Sequence, residues 1–274
     1  LTQFGCGSLA LASKYNHCVL DGIAVHEFEQ SLAALTRGRT LIKIPNSDRN
    51  IFRARNPLEI SFPHFEYSNP KEKLLSSNPS MHFFHRSCLF PLSSMQIAGM
   101  KKIVMKEGKL KYCSSFQVLA ANIWKARTLA TKMEDDIIGS LLFPVNVREI
   151  VLPPAPEGFA GNALIPAFAR ATGKEIREAS MATIVEMIQE GMNRLNDEYV
   201  RSSIDWLEIH KGGINAENSF SLISWLKLGL DNEEFLWGKC VNTMPLVTNP
   251  NLVFLLPGDE GGLNIYIHLS DNQA

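Results

Sequence analysis

The chain has 274 residues, 45% of them hydrophobic and 20% charged, with a formal net charge of −1. This is the usage of a globular protein with one large or two ordinary domains and a sizeable core. So small a net charge gives no global electrostatic case for nucleic acid or an anionic membrane as partner.

Residues 9–13 are apolar and read as a strand running into Tyr15-Asn16-His17. From Gly22 onward Ile23, Phe28, Ser31, Leu32 and Leu35 recur at helical spacing, and Arg37-Gly38 closes the pattern. His17 therefore falls in a strand-to-helix connection, and Asp21 falls at the helix start, where the dipole favours an acid. Residues 40–80 are broken by Pro45, Pro57, Pro63, Pro70 and Pro79 and read as a long crossover. Residues 81–90 read as a strand. Ser93-x-x-Gln96 and Ser114-x-x-Gln117 are capping boxes. The first opens a helix on Ile97, Met100, Ile103 and Val104. The second opens one on Phe116, Leu119, Ala120, Ile123 and Trp124. Residues 140–145 read as a buried strand and 174–195 as one long helix. Residues 220–226 and 252–256 are short apolar runs. Residues 263–270 alternate strictly, as a half-buried strand does. Strands and helices are interspersed, which favours an α/β (α+β mixed-sheet) architecture in two packed units.

Cys6, Cys18, Cys88, Cys113 and Cys240 lie far apart with no C-x-x-C, so they read as free thiols in a reduced compartment, without zinc. No apolar run approaches the length of a membrane span. The basic run Lys101, Lys102, Lys106, Lys109, Lys111 reads as a solvated helix end. The chain opens at Leu1, almost on its most suggestive stretch, and reads as a fragment.

In Asn16-His17-Cys18-Val19-Leu20-Asp21-Gly22, a histidine near neutral pKa suits a general base for a hydroxyl or thiol. A nearby acid either orients such a base, as in a triad, or fixes the backbone that presents it. The pattern alone leaves both open, beside a purely structural histidine. Gly5-Cys6-Gly7-Ser8-Leu9-Ala10 matches a loose dinucleotide fingerprint but lacks a preceding strand and a following helix, so its glycines read as backbone freedom. His82-x-x-His85 would point to opposite faces of a strand and is no metal site. Phe235-Leu236-Trp237-Gly238-Lys239 reads as a packed turn, with Trp237 filling a core.

Taken in order, the His17 stretch is followed by Ser114-Ser115-Phe116, Val145-Asn146-Val147-Arg148 with Pro153-Pro154, Gly161-Asn162, Ser224-Trp225 and Glu234-Phe235-Leu236-Trp237-Gly238-Lys239. This series resembles the plant BAHD acyltransferases, with their H-x-x-x-D-G and D-F-G-W-G motifs. The resemblance implies two chloramphenicol-acetyltransferase-like domains. Residues 1–55 would be the remainder of an incomplete first domain, 56–80 the crossover loop and 81–274 the second domain, with 231–249 packing back toward the first. It implies a cytoplasmic monomer with no metal and no permanent cofactor, acyl-coenzyme A being a co-substrate. His17 would be the general base. Asp21, paired with Arg148, would support the site together with Gly22, Trp237 and Gly238. Ser114, Ser115, Lys109 and Lys111 would meet the coenzyme, and Ile223 and Trp225 the acceptor.

Asn16 to Gly22, with Arg53-Ala54-Arg55-Asn56-Pro57 and Phe62-Pro63-His64, looks most like the branch that moves feruloyl or caffeoyl groups onto ω-hydroxy fatty acids and fatty alcohols for suberin and cutin. Ile223 before Ser224-Trp225 suits an alkyl acceptor. Leu236 replaces the first glycine of the tryptophan motif and would be strained if that position has positive φ. A non-catalytic relative that binds acyl-coenzyme A or a partner, and a thioester hydrolase using His17 on water, are the competing readings.

Overall fold

The computed structural model describes residues 1–68, 85–246, 249 and 251–270. Residues 69–80 of the predicted crossover, residues 81–84 of the predicted strand and His82 lie outside the described residues. The chain opens with a hairpin, β1 (Thr2–Gln3) and β2 (Leu9–Ala10), so the predicted strand at 9–13 is shorter than expected. Gly7, at φ +89°, sits in its turn and donates to the Phe4 carbonyl. The dinucleotide-like glycines thus serve a hairpin. Helix α1 (Gly22–Thr36) follows, then β3 (Tyr67–Ser68), β4 (His85–Leu92), α2 (Ser94–Lys106), α3 (Ser115–Ala130), β5 (Ile138–Asn146) and β6 (Leu164–Thr172). After α4 (Gly173–Glu178), α5 (Met181–Asn193) and α6 (Asp197–His210) come β7 (Gly213–Ile214), β8 (Ser219–Ser224), the hairpin β9 (Glu234–Phe235) and β10 (Gly238–Lys239), β11 (Leu252–Pro257) and β12 (Leu263–Ser270).

Six strands form one mixed sheet in the order β4-β12-β11-β8-β5-β6. The β5–β8 and β8–β11 pairs are parallel and the others antiparallel. Odd-numbered Leu141, Phe143, Val253 and Leu255, with Phe220 and Leu222, share one face. Helices α2, α3 and α5 cover it with Ile97, Leu119, Trp124, Ile184 and Ile188. A second cluster joins Val147, Phe159, Ala163 and Ile165 to Tyr199 and Val200 of α6, with Ile51, Phe52 and Phe62 packed against it. It ties the irregular segment at 46–66 to the β5–β6 connection.

Both capping boxes form, at Ser93/Gln96 and Ser114/Gln117. Ile103 is 64% exposed, so α2 buries only the Ile97–Val104 side of its predicted face. The single helix expected at 174–195 is two. Ala179 is extended, and the Ser180 side chain accepts from the Thr183 amide to start α5. Local cap chemistry overrides the continuous apolar period here. Besides the two-residue strands β1, β3 and β7, two longer elements were not expected from the sequence, α6 and β6. Pro166 argues against a strand, but it lies opposite Pro144 on β5, beyond the Ser140–Leu142 stretch that pairs with β8. Two residues without N–H groups facing each other cost the ladder little.

Candidate functional site

His17 lies in a turn between β2 and α1, and its side chain is exposed. Asn16 shapes the turn: its side-chain oxygen accepts from the Cys18 amide at 3.0 Å, and its carbonyl accepts from the Val19 amide at 2.8 Å. Three grips from distant chain then fix the backbone. The Asn162 side-chain amide donates to the His17 carbonyl at 2.6 Å. The Arg49 guanidinium donates to the Val19 carbonyl at 3.1 Å and to Ala160 at 3.4 Å. Asp21, fully buried, caps α1 from the Ala24 amide at 3.0 Å and accepts from the Ala163 amide at 2.9 Å.

Arg148 closes on Asp21 with a two-pronged contact, Nη1 to Oδ2 at 2.9 Å and Nη2 to Oδ1 at 3.0 Å. The guanidinium also reaches the Gly161 carbonyl at 2.9 Å and the Asn146 side-chain oxygen at 3.1 Å. Burial alone would push the Asp21 carboxyl up. The Arg148 hydrogen bonds, the Ala163 and Ala24 amides and the Arg148 charge outweigh it and hold the group below the usual carboxylate range. Both Asp21 oxygens are thus occupied by Arg148 and backbone amides, and neither bonds the His17 ring. Geometrically Asp21 is a clamp between the His17 turn and the β5–β6 connection, not a partner of the imidazole.

The parallel strands deliver the remaining pieces to the same end of the sheet. β5 ends at Asn146, just before Arg148, and β8 ends just before Trp225. Ile223 pairs in register with Phe254, and the Trp225 ring meets Phe254 edge-on with centroids 5.6 Å apart. The chain beyond Trp225 then runs along α1. A Cβ on Gly22 would sit 3.1 Å from Leu228, so the helix start and this segment pack closely. Further along, His26 faces Glu233 at 3.2 Å, and the Leu236 amide donates to the Thr36 hydroxyl at 3.1 Å. Arg37 reaches Glu234 at 2.9 Å.

The tryptophan hairpin therefore docks at the far end of α1, a helix about 22 Å long at 1.5 Å per residue. Trp237 does not fill a core, contrary to the sequence expectation. It is 42% exposed and stacks on Phe235 at 5.1 Å, because a two-residue hairpin offers no interior. Gly238 has φ +138°. Leu236 is not among the described residues with positive φ, so the replaced glycine leaves no backbone strain.

Ser114 is occupied as the N-cap of α3, accepting from the Gln117 amide at 3.1 Å, and Ser115 is the first residue of that helix. Phe116 meets Phe143 edge-on at 5.4 Å, which sets the α3 N-terminus beside the C-terminal half of β5. Lys109 donates to the Thr183 hydroxyl at 3.2 Å, and Lys111 is exposed. No described contact joins these four residues to the His17 turn. Arg49 carried no signal in the sequence, sitting in a proline-broken segment, and Asn162 carried none beyond its place in the motif series. No described helix is long and apolar enough to cross a membrane.

The chain matches the Transferase family over residues 1–274. It is 31% identical over 288 residues to "Acyltransferase GLAUCE" of Arabidopsis thaliana, covering 100% of this chain and 63% of that protein. It is 31% identical over 268 residues to "Omega-hydroxypalmitate O-feruloyl transferase" of the same plant, covering 95% and 58%. In fold it is similar to F. graminearum TRI101 solved with coenzyme A and T-2 mycotoxin, with TM-score 0.77 and 16% identity over 93% of this chain and 61% of that one. Vinorine synthase gives TM-score 0.67 at 19% identity, over 94% and 58%. The chain spans roughly three-fifths of the length of these curated relatives. A match to the family along every residue, on a mixed α/β fold shared with solved members of that architecture, means that the chain belongs to the Transferase family, the BAHD acyltransferases.

Proposed function

We propose that this chain carries the acyl-transfer centre of an acyl-coenzyme A-dependent O-acyltransferase, with His17 as general base. The observation that carries the reading is an exposed imidazole on a turn gripped by Asn162, Arg49 and the Asp21–Arg148 clamp. A base that must meet two substrates needs a fixed backbone and a free ring. His17 takes the proton of the acceptor hydroxyl, and the oxygen attacks the thioester carbonyl. The tetrahedral oxyanion then collapses to ester and coenzyme A thiolate, which takes up the proton.

The acyl group is a hydroxycinnamoyl unit, feruloyl or caffeoyl. The acceptor is an ω-hydroxy fatty acid or a fatty alcohol, as the names of two relatives at about 30% identity suggest. Ile223 and Trp225 face the acceptor. Ser114, Ser115, Lys109 and Lys111 lie toward the coenzyme, with the α3 N-terminus favouring its polar or anionic groups. Residues 1–55 are the part of a first domain that completes the channel, with 231–249 returning to it. On this reading the enzyme is a cytoplasmic monomer serving suberin or cutin.

The test uses purified protein of this length with feruloyl-coenzyme A, with and without a long-chain 1-alkanol, following ester and free thiol. Ester formation abolished by His17→Ala is the expected result. Thiol release with no ester would instead make the protein a hydrolase. A folded protein that does neither would sink catalysis for this chain and leave a binding relative.

A further inference from the structure

Two side chains just upstream of His17 share one acceptor on α1. The Ser13 hydroxyl donates to Glu29 Oε1 at 2.8 Å, and the Tyr15 hydroxyl donates to the same oxygen at 3.0 Å. Tyr15 also meets Phe28, the preceding residue of the helix, edge-on with ring centroids 5.5 Å apart. Burial, with the Glu29 charge adding to it, pushes the Tyr15 phenol up, so it remains a protonated donor wherever an imidazole can act as a base.

These contacts close a loop on the helix. Asp21 caps the start of α1, and Glu29 is the eighth residue of that helix, about 10 Å further along at 1.5 Å per residue. The nine residues from Ser13 to Asp21 are therefore pinned at both ends to one rigid element, with His17 at their middle. Asn162, Arg49 and Arg148 hold the His17 carbonyl and the downstream side. The upstream arm, residues 13–16, is tied to the helix through Glu29. Without that tie the imidazole would sit on a turn fixed from one side.

We propose that Glu29 is a positioning residue for the general base: by holding Ser13 and Tyr15 it sets the upstream arm of the turn, and with it the bearing of the His17 ring. The proposal rests on the transferase reading for the step that His17 performs. Hydrogen bonds at a half-exposed site compete with water and add little to global stability. A displacement of about 1 Å at a reacting group, by contrast, costs on the order of a hundredfold in rate. The loss therefore falls on kcat and not on the melting temperature or on either KM.

The experiment compares the unaltered chain with Glu29→Gln, Glu29→Leu and the paired variant Ser13→Ala/Tyr15→Phe, using feruloyl-coenzyme A and a long-chain 1-alkanol. Glu29→Leu and the paired variant should each lose about ten- to a hundredfold in kcat with both KM values unchanged. Glu29→Gln keeps an acceptor without the charge and should recover most of the rate. Adding Glu29→Leu to the paired variant should cost nothing further, because the same two bonds are already gone. Amide exchange is followed on the same proteins without substrate, at Cys18 and Val19, whose amides bond to Asn16. It should quicken about tenfold in Glu29→Leu and in the paired variant. Unaltered exchange in folded Glu29→Leu overturns the proposal, and so, in an active chain, does an unaltered kcat. A paired variant that turns over normally overturns it too. So does a Glu29→Gln as slow as Glu29→Leu, which would make the charge beside His26 and Glu233 the cause. Quickened exchange in a chain that makes no ester even when unaltered would sink the transferase reading alone and leave the hold of Glu29 on the turn standing. Should Glu29→Leu not fold, the paired variant decides.

Discussion

Asp21 and Arg148 are held so closely that removing either leaves the other stranded. Asp21→Ala should cost about 3–5 kcal/mol of stability, the usual penalty for an uncompensated buried charge, measured as a shift in the urea midpoint. The sign of its pH dependence follows from the depressed carboxyl. Unfolded, the group titrates near pH 3.9, and folded it titrates lower. Its contribution is therefore complete above the unfolded value and is lost as pH falls through the folded one. The stability gap between the unaltered protein and Arg148→Met should narrow steadily on acidification below about pH 4, and a gap that widened would refute the assignment. Leu236 makes the opposite point. It is 71% exposed and without positive φ, so Leu236→Gly should not stabilise the chain. A melt should show a loss of about 0.5–1 kcal/mol from added freedom in the unfolded state. Of these residues, His17 and Asp21 were legible because their spacing sits in a motif. Arg49 was not, because a guanidinium that binds two carbonyls leaves no periodic trace.

Elements were legible in proportion to how local their causes are. Both Ser-x-x-Gln boxes formed as read, since a cap needs only four consecutive residues. The strict alternation at 263–270 became β12, with Leu263 and Ile267 in the main core. β6 was hidden because its Pro166 is tolerated by its place on an edge strand, opposite Pro144, a fact about the sheet and not about the segment. α6 was hidden for a related reason. Its buried face carries Ser202, Ser203 and Asp205, polar residues whose partners Ser61, Tyr67 and Arg55 lie 136–150 positions earlier. The loop after β5 shows the same dependence on context. Gly158 has φ +70°, and a Cβ there would lie 2.4 Å from the Ile44 carbonyl oxygen. Asn46 bonds around it, donating to Gly158 at 2.8 Å and accepting from Ala160 at 2.7 Å. Gly158→Ala should cost more than about 1–2 kcal/mol, the left-handed penalty alone, because the steric clash adds to it. Thermal unfolding would show it.

At the scale of the whole molecule, the segment at 46–66 has only a short 3₁₀ turn, Asn50–Phe52, of its own, and polar bonds join the second apolar cluster in holding it to α6. Asp205, fully buried, accepts from the Arg55 amide at 2.8 Å, the Arg55 side chain at 2.6 Å and the Glu59 amide at 3.0 Å. His64 bridges Glu66 and Ser202 at 2.8 Å each, and Tyr199 donates to Glu66 at 2.8 Å. A hydrogen bond to a charged group contributes about 1.5–3 kcal/mol, so Asp205→Ala should speed amide exchange at Arg55 and Glu59 roughly 10–100-fold while the central strands keep their protection. Uniform loss of protection would show that the segment is no separate unit. From the sequence this region could be read only as irregular. Its prolines were visible, but the acids that anchor it are some 140–150 positions away.

That distance also has a consequence in time. Apart from Arg49 and Glu29, the residues that hold the His17 turn lie 127–145 positions further along the chain. During synthesis at about 5–20 residues per second, the turn leaves the ribosome first and waits on the order of ten seconds or more for Arg148 and Asn162 to appear. Until then Asp21 is an ordinary solvated carboxylate and the imidazole has no fixed bearing. A ribosome that stalls before residue 148 leaves a nascent chain that carries the complete motif without the Arg148 and Asn162 that fix it.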